Sequence, residues 1–369
     1  MAANNKKIHY AVVGLGHIAQ VAVLPAFAHA RQNSVLTALV SNDPEKLRQL
    51  SRRYGVKFTY SYEQFDDCLR SADVDAVYIA LPNNMHAEYS IRAANAGVHV
   101  LCEKPMAVTE SECQSMIRAA RKNKVKLMIA YRLHFEAANL KAIEIVKSGK
   151  LGEPRVFTSL FGLQVKEGNI RTQGELGGGT LYDLGVYCIN AARHLFQNEP
   201  TEAFAYTAAR KDRRFKEIDE MTSALLRFPG ERTGNFTTSF GSTDVASYEI
   251  IGTKGKLRLD PAYEYAMALK LYVTIDGKTT SRTFARRDQF APELLYFSDC
   301  IRKNIEPEPS GEEGLADVRI VRALYRAAET GRPVKIRATP VRKRPTLKQE
   351  RHRPPVAKPN LVHAASAST

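Results

Sequence analysis

The run Ile8-His9-Tyr10-Ala11-Val12-Val13 leads directly into Gly14-Leu15-Gly16-His17-Ile18-Ala19 and then into a helix-compatible stretch reaching about Ala30. An apolar strand, a glycine turn and a helix in this order predict the opening unit of a parallel α/β sheet that binds a dinucleotide. Gly14 permits the sharp turn out of the strand. Gly16 removes a side chain where a pyrophosphate approaches the backbone. Ala19 lets the helix pack close to the sheet, and the first helical turn offers its amide groups to an anion. Gly14, Gly16, His17 and Ile18 are the first candidate cofactor contacts.

Further apolar runs follow at Val35–Val40, Val74–Leu81, Val98–Cys102 and Val125–Ala130, separated by helix-length segments. Alternation of this kind predicts a parallel sheet with right-handed crossovers, buried on both faces. The second run ends in Ser41-Asn42-Asp43-Pro44-Glu45-Lys46, with Pro44 suited to the first position of a helix. An acidic residue at that strand end would favour the ribose hydroxyls of NAD. Ser41 stands there instead, and a hydroxyl at Ser41 with an ammonium at Lys46 suits the 2′-phosphate of NADP. Arg48 can add to that set, whereas Asp43 and Glu45 argue the other way. NADP is the expected cofactor, ahead of NAD.

Past residue 131 the pattern changes. Leu140–Lys147 has helical character, and from Pro154 strand-like runs dominate: 155–161, 201–208, 221–228, 233–239, 246–252, 255–260 and 269–275. Turn signals such as Phe228-Pro229-Gly230 lie between them. Gly311–Gly331 carries an apolar helical stripe through Leu315, Val318, Val321 and Leu324. The expected fold is α/β: an N-terminal Rossmann parallel sheet over residues 1–131, then a C-terminal α+β domain over 132–337. That second domain has a large, open, mainly antiparallel sheet.

Residues 338–369 form a separate basic tail. From Val341 onward seven Lys/Arg face one Glu in a stretch rich in Pro, Ala and Ser. This composition predicts disorder. The tail supplies part of a formal net charge of +15, but no nucleic-acid-binding module accompanies it, so nucleic acid is not an expected partner. No stretch is long and apolar enough to span a bilayer, and the N-terminus enters the first strand without a hydrophobic signal region. The five cysteines show no metal-ligand spacing and read as free thiols of a reducing compartment, so a cytoplasmic location and no metal site are expected.

Two constellations can carry chemistry. Glu103-Lys104-Pro105 follows the fourth strand, at the sheet edge where ligands of parallel sheets bind. Lys104 there can bond a substrate hydroxyl or favour ionisation of a neighbouring acid. The second is Gly177-Gly178-Gly179-Thr180 leading to Asp183-Leu184-Gly185-Val186-Tyr187, which puts Asp183 and Tyr187 on one helix face. A simpler reading makes Asp183 the capping partner of Thr180 and Tyr187 a core side chain.

These three features, in this order, resemble the Gfo/Idh/MocA oxidoreductase family, and within it the glucose–fructose oxidoreductase branch. Leu81-Pro82-Asn83, His86-Ala87-Glu88, Cys102-Glu103-Lys104-Pro105-Met106-Ala107 and Leu127–Arg132 carry the resemblance further, over roughly residues 6–336. The resemblance implies hydride transfer between a nicotinamide and C1 of a sugar, aldose to aldonolactone, with coupled reduction of a second sugar as an extension. It implies Tyr187 as acid/base, Lys104 in support and Asp183 positioning the sugar, with His134 the next acceptor to consider. Leu81, Asn83, His86, Glu103, Lys104, Arg132 and Arg171 are implied on the cofactor side. Tyr131 joins Lys104, Asp183 and Tyr187 on the sugar side. A cis Lys104–Pro105 bond and a homodimer or homotetramer built on the C-terminal sheet are implied as well. The alternatives are a dehydrogenase of cyclic diols or carbonyls, and a non-catalytic NADP(H) sensor.

Overall fold

The computed structural model describes residues 6–70, 73–209, 211–339 and 343–367. The first sheet is parallel and contains β1 (Ile8–Val13), β2 (Ser34–Val40), β3 (Phe58–Tyr60), β4 (Ala76–Ile79), β5 (His99–Glu103) and β6 (Leu127–Ala130). Its spatial order is β3-β2-β1-β4-β5-β6. The chain direction across the sheet reverses beside β1, so a ligand crevice opens at the carboxyl ends of β1 and β4.

Strand alternation divides this sheet between two cores. Tyr10, Val12, Tyr78, Leu101 and Met128 face one side. Ala11, Val13, Val77, Ile79, Cys102 and Ile129 face the other. The first side is covered by the helix after β1 and, less expectedly, by helix Ala291–Lys303. Tyr10 and Ser34 both hydrogen-bond Ser298 on that helix, at 2.8 Å. A segment far beyond residue 131 thus completes the core of the first domain.

The second sheet contains β7 (Pro154–Gly162), β8 (Glu202–Ala208), β9 (Met221–Phe228), β10 (Arg232–Ser239), β11 (Val245–Gly252), β12 (Gly255–Leu259), β13 (Leu269–Ile275), β14 (Lys278–Phe284) and β15 (Val334–Lys335). Only the β7–β10 pairing is parallel. Helices Ala137–Lys147 and Val186–Phe196 cover one face, joined by Ile320, Val321 and Leu324 of helix Gly311–Thr330. The same long helix sends Leu315 and Val318 into the first sheet's core, so it ties the two units together. Four elements were not legible from periodicity: β3, β14, β15 and helix Ala291–Lys303. β14 is an edge strand exposed along nearly its whole length, and so has no apolar period to display.

The basic tail departs from the expectation of disorder. Residues 343–367 lie against the body of the protein. Arg344 pairs with Glu199 at 2.7 Å, the Gln349 amide donates to Glu308 at 2.8 Å, and Arg353 donates to the His29 carbonyl at 3.0 Å. Val362 is buried in the first sheet's core. Low apolar content argues against an independent core, but it is silent on a segment that finds hydrogen-bond partners on a preformed surface.

Candidate functional site

Gly14 adopts φ +90°, and a Cβ there would lie 2.5 Å from the Ala80 carbonyl oxygen. No side chain fits where β1 turns past the end of β4. A Cβ on Gly16, by contrast, would meet nothing within 4 Å. That open cradle at a helix start is what a dinucleotide pyrophosphate requires, so these residues fit the cofactor. The following segment, Ala19–Val23, is π-helical, a geometry frequent at functional positions. Burial, with the charges of Arg171 and Lys358, lowers the pKa of His17 and keeps its ring neutral.

At the end of β2, Ser41 is buried and its hydroxyl accepts from Asp43 N–H at 3.2 Å. Pro44 opens helix Pro44–Tyr54, and Asp43 caps it: one carboxylate oxygen accepts from the N–H groups of Glu45 and Lys46, both at 3.0 Å. Glu45 is engaged by Arg48 and Gln49. Both acids near this strand end are therefore committed locally, and Lys46 stands 4.0 Å from Asp43.

The carboxyl end of β5 delivers Glu103 and Lys104, with a cis Lys104–Pro105 bond. Tyr78 donates to Glu103 at 2.8 Å, and burial raises the Glu103 pKa. Lys104 Nζ donates to both the backbone oxygen (2.9 Å) and Oδ1 (3.0 Å) of Asp183. Arg171 Nε donates to Oδ2 of the same carboxylate at 2.6 Å. Burial alone would raise the Asp183 pKa, but the Arg171 and Lys104 charges outweigh it and hold the carboxyl far below the ordinary range. Asp183 in turn keeps Lys104 charged against the opposing effect of burial. The alternative in which Thr180 and Asp183 cap each other is not realised, because the Thr180 hydroxyl bonds Asp219.

Asp183 lies in a π-helical turn, Leu181–Gly185, and Tyr187 in the first α-helical turn after it. Lys104 Nζ sits 4.7 Å from the Tyr187 ring centroid and Arg132 Cζ 5.0 Å from it. Arg132 also stacks on Tyr265 at 5.3 Å and is held by Gln289 and the Tyr263 carbonyl. The loop before the π turn needs its glycines: Gly177 has φ +78°, and a Cβ there would lie 2.5 Å from Val108 and 2.9 Å from Asn83. Asn83 Nδ2 donates to the Gly177 carbonyl at 2.8 Å. Leu81, also buried, lines the Gly14 turn.

Some expected contacts take other places. His86 is fully enclosed, its ring nitrogens 2.8 Å from the Pro105 oxygen and 2.9 Å from the Leu81 oxygen. It braces the two cleft loops against each other rather than reaching the cofactor. His134 is buried between Glu308 and Asn190, both at 2.8 Å, so neither ring nitrogen is free to accept a substrate proton. Tyr131 stacks on His134, and its buried hydroxyl lies beside Asp317. It borders a cavity of 30 Å³ that it shares with Lys104, Tyr187, Asn190 and His194.

Beneath that cavity lies a buried network that no local signal announces. His134, His194 and Glu313 bring their donor atoms within 4.8 Å of one another. The guanidinium of Arg193 supplies the positive charge, pairing with Glu313, Asp317 and Glu199. Glu293, wholly buried, has both carboxyl oxygens unpartnered among the described residues. Burial, then the neighbouring Glu103 charge, raises its pKa.

Comparison with known proteins shows the family. Residues 8–131 match the GFO/IDH/MocA model of an oxidoreductase family with an NAD-binding Rossmann fold. Residues 139–258 match the GFO/IDH/MocA C-terminal domain. A D-xylose 1-dehydrogenase [NADP(+)] of Haloarcula marismortui is 32% identical, covering 90% of this chain and 94% of its own. An aldose-aldose oxidoreductase of Caulobacter crescentus, solved with glycerol, is 39% identical with a TM-score of 0.86, covering 90% of this chain and all of its own. A 3-ketoreductase of Actinomadura kijaniata, solved with NADP and TDP-benzene, is 27% identical with a TM-score of 0.79, covering 87% and 98%. Among the described residues no helix is long and apolar enough to cross a membrane.

Proposed function

From the premise that this chain belongs to the GFO/IDH/MocA oxidoreductase family, we propose that it is an NADP-dependent sugar oxidoreductase that converts an aldose to its aldonolactone. The observation that carries this reading is the convergence of Lys104, Arg171 and Arg132 around Asp183 and Tyr187 at the carboxyl edge of the parallel sheet. The nicotinamide, when bound, supplies the hydride acceptor. Tyr187 takes the proton of the sugar C1 hydroxyl. Lys104 and Arg132 flank its ring and fix it beside Asp183. Asp183 is pinned by two cations and stays ionised, so it acts as a fixed acceptor for a second sugar hydroxyl and not as the base.

NADP is favoured over NAD by a hydroxyl at Ser41 and an ammonium at Lys46 on this strand end, while Asp43 Oδ1 is spent on the helix cap. Likeness to an aldose-aldose oxidoreductase supports the extension in which a second sugar is reduced by the same bound cofactor. The exposed face of the second sheet supports self-association. Tyr206 and Leu160 share one row across β8, β9, β10 and β7, and Leu225 lies on the next.

A screen of aldoses and cyclic diols with NADP and with NAD, following the absorbance of the reduced nicotinamide, tests the proposal. Lactone formation from an aldose is expected. Turnover of diols alone, or none with any sugar, overturns it.

A further inference from the structure

The tail continues past Arg353 along the mouth of the dinucleotide cleft. Arg286 Nη2 donates to the Val356 carbonyl at 2.9 Å, and Arg53 Nη1 to the Asn360 carbonyl at 2.6 Å. At Val362 the Gln20 side chain bonds the backbone both ways: Nε2 donates to the Val362 oxygen and Oε1 accepts from its N–H, each at 2.8 Å. The same Gln20 amide donates to the Leu15 carbonyl inside the glycine turn at 2.9 Å. The next residue, His363, sits 2.8 Å from Asp43 Oδ2, the oxygen that Lys46 approaches to 4.0 Å and that takes no part in the helix cap. Finally Lys166 N–H donates to the Ala367 carbonyl at 3.0 Å. Lys166 belongs to the second domain, in the loop that carries Arg171.

The segment therefore starts on Arg286 of the second domain, crosses the first domain past the pyrophosphate turn and the adenosine end of the site, and returns to the second domain at Lys166. Lys358 lies close enough to His17 for its charge to act on that ring, so the segment also brings an ammonium toward the phosphate cradle. We infer that residues 356–367 are a latch over the dinucleotide cleft, and that bound cofactor leaves only when this latch lifts. The inference rests on the cofactor reading above and deepens it. A latched nicotinamide stays with the protein after one sugar is oxidised and is available to reduce another.

The test compares the full chain with a version ending at Pro355 and with Val362→Asp, which drives a charge into the buried clamp. Each is loaded with NADPH, and release is followed by the loss of its protein-bound fluorescence after a chase of excess NADP. Hydrogen–deuterium exchange at the backbone amides of residues 360–365, where Val362 N–H is held by Gln20, reports independently whether the latch has lifted. Release at least tenfold faster in both variants, with rapid amide exchange over residues 360–365 in Val362→Asp, is the expected result. Release within twofold of the full chain in either folded variant overturns the latch. Failure of the full chain to bind NADPH or NADH at all overturns the cofactor reading and the latch together. Normal binding with unchanged release overturns the latch alone.

Discussion

Tyr187 and Asp183 are four residues apart, yet their surroundings give them different work. Asp183 is locked by Lys104 on one oxygen and Arg171 on the other. Tyr187 presents its ring to Lys104 and Arg132. Replacing Tyr187 by Phe keeps the ring and removes the hydroxyl, so cofactor affinity should hold while turnover falls about 10²–10⁴-fold. Steady-state kinetics beside an NADPH titration check this, and near-normal turnover would remove Tyr187 from the proton path. The Asp183 carboxyl is held below its unfolded value, so its ionisation stabilises the fold above about pH 4, and that stability is lost as pH falls further. Asp183→Asn should lower the thermal midpoint at neutral pH and flatten its decline on acidification, readable in melting curves across that range. At the other end of the cleft, Lys46→Ala should weaken NADP by about 10–100-fold, as expected for a charged hydrogen bond worth about 1.5–3 kcal/mol. NAD should be nearly unaffected; equal losses would discard the 2′-phosphate assignment.

At the scale of elements, helix Val186–Phe196 and helix Gly311–Thr330 are joined by a buried ionic knot rather than by apolar contact alone. Arg193 is fully buried, and Glu313 and Asp317 face it from the other helix. Arg193→Met should cost about 3–5 kcal/mol, because it leaves carboxylates buried without their counter-charge. The loss in thermal midpoint should shrink at lower pH, where those carboxyls can take up protons. A variant as stable as the parent at neutral pH would show that the knot holds nothing together. The π turn at Leu181–Gly185 matters at the same scale: it sets the rotation of the helix on which both Asp183 and Tyr187 ride. Nothing in the local residues distinguishes it from an ordinary α turn, which is why spacing predicted a shared face but not the partners each side chain meets.

For the whole molecule, the two sheets share one long helix, and helix Ala291–Lys303 returns to seal the first sheet. The second sheet leaves Leu160, Tyr206 and Leu225 exposed on its uncovered face. Tyr206→Glu with Leu225→Glu should shift the protein to a smaller species in light scattering, with the monomer fold intact. An unchanged mass would send the interface elsewhere. The parallel sheet, the glycine turn and the position of Lys104 were legible in the sequence because each depends on neighbours within a few residues: strand runs, turn residues and caps follow local spacing. The pairing of Lys104 with Asp183, the enclosure of His86 and His134, the Arg193 knot and the course of the tail were decided by the tertiary structure. Most of them join residues tens to hundreds apart, and each exists because packing removed water from groups that then had only one another to bond.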